Sequence, residues 1–108
     1  MKRGSIFWVN LEPATPPEFG KMRPAVVISN SEQNGILPTV IVLPFSTKAP
    51  EIWPLRLECT LPNRKKSYAV LPGLRQVSKQ RLGTLLGHLS PRELANIDVA
   101  VSAYLLTD

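Results

Sequence analysis

Only one cysteine, Cys59, and one histidine, His88, occur in the 108 residues. A single thiol cannot form an internal disulfide, so the fold must rest on packing alone. With one histidine, one cysteine and scattered single carboxylates there is no metal-ligand set of usable spacing, and neither a metal nor another cofactor is expected. Gly-rich phosphate loops and the G-x-S-x-G elbow are also missing. A Ser-His-Asp triad around His88 is arithmetically possible, but His88 stands inside an apolar strand, where a satisfied structural histidine is the better reading. Cys59 likewise reads as a small core or semi-buried residue rather than a nucleophile. No apolar run approaches the ~18–20 residues that cross a bilayer. The basic start, Met1-Lys2-Arg3-Gly4, is followed by an apolar stretch (6–9) too short for a signal peptide. A cytoplasmic chain without a membrane partner is therefore expected. The last scarcity is negative charge: eight Asp and Glu against thirteen Lys and Arg leave +5, and no acidic residue lies between Cys59 and Arg92.

What is present suits one globular domain, residues 1–108. Apolar residues make up 44% and charged residues 19%, an ordinary core-forming composition. Eleven prolines, about twice the average share, point to short elements separated by fixed turns. The acid-free segment carries Arg64, Lys65, Lys66, Arg75, Lys79, Arg81 and Arg92. A one-signed stretch in a small domain makes a field that attracts polyanions; a solvated basic face would have the same composition.

Hydrophobic patterning predicts six or seven short strands and one helix. Residues 6–11 are β-branched and aromatic, and 12–22, with Pro13, Pro16, Pro17 and Gly20, must be a loop. The continuous apolar run 24–29 suits a strand buried on both faces. Asn34-Gly35 marks a turn within 30–38, and a third strand, 39–43, is expected to stop at Pro44. Strands follow at 54–59, 68–71, 74–78 and 83–89, with a basic turn at 61–66 and one helical turn at 79–81. The spacing of Leu74 and Val77 suggests a bulge or twist. The period then changes. Ser90 at N-cap, Pro91 at N1 and Glu93 at N3 open a helix with a capping box, and Leu94, Ile97, Val101, Tyr104 and Leu105 form its apolar stripe. The expected architecture is a mainly β, antiparallel, barrel-like fold with short helical insertions and a C-terminal α-helix.

The remaining chemistry is a metal-free set of Arg, Glu and hydroxyl groups. The proline-rich loop delivers Glu18 and Arg23 five residues apart at the start of the buried run, and Pro24 holds Arg23 extended. Ser46, Thr47 and Lys48 follow the third strand, and Arg75 follows the fifth. Together these segments resemble the MazF/PemK (Kid) family of type II toxin–antitoxin ribonucleases over nearly the whole chain. Residues 3–13 are similar to R-G-D-I-W-x-V-x-L-D-P, 18–29 to E-Q-x-G-x-R-P-x-V-V-x-S, and 38–47 to P-T-V-I-V-x-P-x-T-S/T. Residues 74–83 resemble I-R-T-V-D-K-x-R-L-G.

The resemblance implies an SH3-like barrel, shared with the gyrase-poisoning CcdB toxins. It also implies a homodimer, and metal-independent cleavage of single-stranded RNA to a 2′,3′-cyclic phosphate and a 5′-OH. By the same resemblance Glu18, Arg23 and Ser46 match the family's catalytic Glu, Arg and Thr, with Thr47 a second candidate for the hydroxyl. Arg23 would stabilise transition-state charge, with proton transfer as its alternative role, Ser46 or Thr47 would bond phosphate, and Glu18 would act as base or position substrate. Arg75, Lys48, Arg64, Lys65, Lys66, Lys79 and Arg81 would contact RNA. Phe19, Trp53 or Phe45 would offer stacking platforms, core packing being the preferred reading for Phe45. An acidic cognate antitoxin is the implied protein partner. Two departures stand out: Pro72-Gly73 replaces the family's D/E-Q before I-R, and Ser78 replaces the Asp of V-D-K. The rival readings are a non-catalytic gyrase inhibitor and a basic SH3-like adaptor that binds nucleic acid or protein.

Overall fold

β-Branched and aromatic side chains crowd the first expected strand, and β1 (Ser5–Asn10) forms there. The computed structural model describes residues 1–107. After β1 come β2 (Met22–Val27), the one-turn helix α1 (Ser31–Asn34), β3 (Thr39–Ser46), β4 (Arg56–Thr60), β5 (Lys66–Val70), β6 (Arg75–Ser78), β7 (Leu82–His88) and helix α2 (Pro91–Leu105). Single 3-10 turns, Leu71–Gly73 and Lys79–Arg81, flank β6.

All pairings are antiparallel, in the order β4-β5-β3-β2-β1-β7, with β6 also on β3. β3 is shared: its first half pairs with β6, residues 42–44 pair with β2, and Phe45 and Ser46 pair with β5. Among the described residues no ladder joins β4 to β7, so the expected barrel is open along that seam.

Residues 25–27 of β2 and 42–45 of β3 are buried on both faces, whereas Ile41 earlier in β3 is exposed. Val26 and Leu43 join Ile6, Phe45, Leu57, Ala69 and Leu71 in a cluster capped by Ile97 and Ala100 of α2. On the other face Ala25, Val27, Val40 and Val42 pack with Val9, Leu11 and Val77, and Phe19 from the β1–β2 loop covers part of this second cluster. The loop thereby rests on the sheet.

Several expectations need correction. β3 does not stop at Pro44 but runs through it to Ser46. Pro44 falls between the end of the β6 ladder at Val42 and the start of the β5 ladder at Phe45, where that side of the strand has no paired donor to lose. Leu74 lies outside β6, and the ladder irregularities sit instead between β1 and β7. His88 is exposed at the end of β7 rather than buried and satisfied. In α2, Ser90 Oγ accepts from Glu93 N at 3.1 Å as expected. The Glu93 carboxylate, however, takes the Ser90 hydroxyl at 3.3 Å and the Thr60 N–H at 2.7 Å, tying the helix to β4 instead of closing a capping box. Ile97 and Ala100 are the buried helix positions. Leu105, about 100° round the helix from Tyr104, swings off the sheet and is 54% exposed.

Candidate active site

Eleven residues join β1 to β2, and their ends are clasped. Leu11 N donates to Lys21 O at 2.9 Å, and Lys21 N donates to Glu12 Oε1 at 2.6 Å. Lys21 has φ +65°, the left-handed region that favours glycine; the motif quoted for this segment has Gly at this place. A Cβ at Gly20 would collide with the Glu12 carboxylate, so the clasp requires glycine there. Two arginines pin the same neck from β6 and the turn after it. Arg81 Nη1 donates to Asn10 O at 3.1 Å and to Glu12 O, and Arg75 Nη1 reaches Leu11 O at 3.5 Å.

Within the clasped loop, Glu18 N donates to Thr15 O at 3.0 Å and Thr15 N donates back to Glu18 Oε1 at 2.8 Å. This turn fixes an exposed carboxylate whose Oε2 has no hydrogen-bond partner among the described residues. Arg23 follows on β2, half-buried. Its Nε donates to Gly20 O at 3.2 Å, and its Cζ lies 4.5 Å over the Phe19 ring centroid. No ion pair or hydrogen bond engages its two terminal nitrogens among the described residues, so they are available to an anion.

Strand register decides which groups share a face, because side chains alternate along a strand and cross-strand partners point the same way. Ala25 is opposite Pro44 and Val42 is opposite Arg75. Two residues beyond the last β2–β3 rung, Arg23 and Ser46 occupy matching positions. Arg23, Ser46 and Arg75 therefore rise from one face, that of the second cluster. Ser46 Oγ accepts from Lys48 N at 3.1 Å, which leaves its hydroxyl proton to donate; Thr47 and Lys48 are exposed.

Glu18, Phe19 and Arg75 line a cleft of ≈ 290 Å³ together with Pro13, Pro72, Gly73 and Leu74. The Pro72-Gly73 departure is thus a wall of this cleft. A Cβ on Gly73 would lie 2.6 Å from Pro44 Cγ, so β3 packs directly behind it, and Ser46 follows two residues on, about 7 Å along the strand. No pattern in the chain marks Pro13 or Leu74 as walls, or Glu12 as the loop's clasp.

The other candidate contacts lie around this cleft, not in it. Arg64 and Lys65 occupy the exposed turn between β4 and β5, and Lys66 opens β5 opposite Thr60 with its Nζ 3.9 Å from Glu58, an exposed pair of little energetic weight. Lys79 and Arg81 are half-buried in the 3-10 turn after β6. Trp53 is 53% exposed and Phe45 is a core residue at 2%. A second pocket, ≈ 250 Å³, is formed by Trp8, Pro24, Leu61, Pro62, Asn63 and Leu86 at the open seam. Cys59 is buried, and desolvation, with the Glu93 charge adding to it, pushes its thiol up to about 12; it is no nucleophile. Among the described residues no group of three or more His, Cys, Asp or Glu is placed to hold a metal ion, and no helix is long and apolar enough to cross a membrane.

Comparison with known proteins shows what the chain is similar to. A family model described as PemK-like, MazF-like toxin of type II toxin–antitoxin system matches residues 2–105. Endoribonuclease MazF9 of Mycobacterium tuberculosis is 29% identical, covering 97% of this chain and 96% of that protein. Endoribonuclease EndoA of Bacillus subtilis is 28% identical over 97% and 94%. Among solved structures, MazF from Deinococcus radiodurans superposes with a TM-score of 0.85 at 20% identity, covering 99% of this chain and 97% of that one. A mycobacterial endoribonuclease in complex with its cognate antitoxin gives 0.82 at 20% identity, covering 100% and 97%.

Proposed function

The chain belongs to the PemK-like, MazF-like toxin family of type II toxin–antitoxin systems, and from that membership we propose a metal-independent, sequence-selective endoribonuclease of single-stranded RNA. The carrying observation is the arginine whose terminal nitrogens have no partner among the described residues. Arg23 shares a sheet face with Ser46 and Arg75, and its neighbour Phe19 lines the cleft that holds Glu18.

In the proposed reaction the 2′-OH of one nucleotide attacks its own 3′-phosphate. Glu18 Oε2 takes the 2′ proton, the new O2′–P bond forms, and the P–O5′ bond breaks. The leaving oxygen takes a proton from solvent, because a guanidinium is a poor acid at neutral pH. Products are a 2′,3′-cyclic phosphate and a 5′-OH end. The Arg23 terminal nitrogens face the non-bridging oxygens, where charge grows, and Ser46 or Thr47 donates a hydroxyl hydrogen bond to the phosphate. Arg75, Lys48, Arg64, Lys65, Lys66 and Lys79 hold the flanking phosphates electrostatically.

The mycobacterial structure contains an endoribonuclease with its antitoxin. For this chain, too, we assign an acidic cognate antitoxin, a homodimeric single-domain toxin of residues 1–108, and action in the cytoplasm, where translated RNA is found. A gyrase inhibitor would leave Glu18, Arg23 and Ser46 without a common task. The adaptor reading has one observation in its favour, the Pro72-Gly73 wall without carboxylate or amide. Incubation of the purified protein with a long unstructured RNA in EDTA decides: discrete cuts with 5′-OH ends support the nuclease, and intact RNA contradicts it.

A further inference from the structure

Phe19 stands where the quoted motif of this segment has Gln, and its ring carries the Arg23 guanidinium at 4.5 Å. We infer that Phe19 is a positioning residue for Arg23 and not a platform for an RNA base. This inference rests on the nuclease reading of the same site.

Three constraints converge on the guanidinium. The ring is anchored from below, since Phe19 packs onto the cluster of Val9, Leu11, Ala25 and Val27. The Arg23 Nε is spent on Gly20 O at 3.2 Å, fixing rotation about the last side-chain bonds. The aromatic face supplies the third contact without using a terminal N–H, because a ring quadrupole attracts the cation through its face. A carboxylate partner would fix the guanidinium equally well, but it would compete with the phosphate for the same N–H groups and cancel the positive charge. An aromatic partner orients the cation and leaves both charge and donors for the scissile phosphate. The same geometry covers one ring face, so a base cannot stack there while Arg23 is in place.

The test compares Phe19→Leu, which keeps apolar packing, with Phe19→Tyr, which keeps the ring, in cleavage kinetics, thermal melting and the side-chain NεH resonance of Arg23. For Phe19→Leu kcat falls roughly three- to tenfold, the scale of one cation–π contact expressed as rate. KM stays within about twofold and the melting point is little changed, as expected when an interaction made only in the transition state is lost. Phe19→Tyr restores kcat. The Arg23 NεH proton is ring-shifted upfield in wild type and Phe19→Tyr and loses that shift in Phe19→Leu. A raised KM with unchanged kcat would mean that Phe19 stacks RNA, and overturns the inference. An unshifted Arg23 resonance overturns it too. If wild type cuts no RNA while the shift is present, the nuclease reading fails and the Phe19–Arg23 pairing stands.

Discussion

The Glu12 carboxylate accepts the backbone N–H of Lys21 at 2.6 Å, closing the loop that carries Glu18 one residue before β2 begins. Its neighbour Arg23 thus starts from a clasped base, and the candidate site inherits its order from a residue outside the chemistry. Glu12→Ala should cost about 0.5–1.5 kcal/mol of stability, the net scale of one hydrogen bond at an exposed carboxylate, and should lower RNA cleavage more than RNA affinity. Chemical denaturation and kinetics on one preparation check both. Arg81→Ala, which frees the carbonyls of Asn10 and Glu12, should reproduce the pattern.

The cleft wall gives an asymmetric prediction. Gly73 has Pro44 directly behind it, so Gly73→Gln, which would bring back one residue of the family dipeptide, should destabilise by about 1–3 kcal/mol through overpacking. Pro72 is exposed, and Pro72→Glu should leave the melting point nearly unchanged while altering the cleavage pattern. A Gly73→Gln variant as stable as wild type would mean that the wall is not packed as described.

Positive charge from the β4–β5 turn should appear in the salt dependence of RNA binding. For single strands each neutralised phosphate contributes about −0.7 to the slope of log K against log salt. Replacing both Arg64 and Lys65 by Ala should reduce the slope by roughly 1.4 on that scale. An unchanged slope removes those side chains from the RNA path.

Cys59 supplies a pH prediction. Burial raises its pKa from 9.0 to about 12. The folded state therefore keeps a proton that the unfolded chain gives up. Its stabilising contribution is complete below pH 9 and is lost progressively as pH rises from there towards 12. Cys59→Ala should have a flatter stability profile across that window than wild type. The native thiol should also resist a thiol-specific disulfide reagent at pH 8 until the chain is unfolded.

Much of this was legible in the chain because local signals and the fold agree. The apolar run 24–29 is a strand as far as Val27 with residues 25–27 buried, Ser90-Pro91-Arg92-Glu93 opens a helix, and the turn at Lys79–Arg81 forms where expected. Misreadings arose where tertiary pairing overrode local rules. Pro44 is tolerated because β3 changes partners around it, and His88 stands exposed at the last rung of β7, opposite Ser5, facts of the sheet and not of the segment. At the site, the sequence supplied Glu18, Arg23 and Ser46, and register places Arg23 and Ser46 on one face. The Arg81 ties to the loop neck and the ring beneath Arg23 had no periodic signal, because they join residues by contact across long sequence separations or within an irregular loop.

The central claim is that the Arg23 guanidinium stabilises charge on a scissile phosphate without a metal. Its most direct test is single-turnover cleavage of an unstructured RNA in EDTA by wild type and Arg23→Ala, with folding verified by melting. Wild type should cut at discrete sites, leaving 2′,3′-cyclic phosphate and 5′-OH ends, while the folded variant loses at least about a hundredfold in rate, as removal of one transition-state charge donor does. A folded Arg23→Ala protein that cleaves at the wild-type rate would contradict the account.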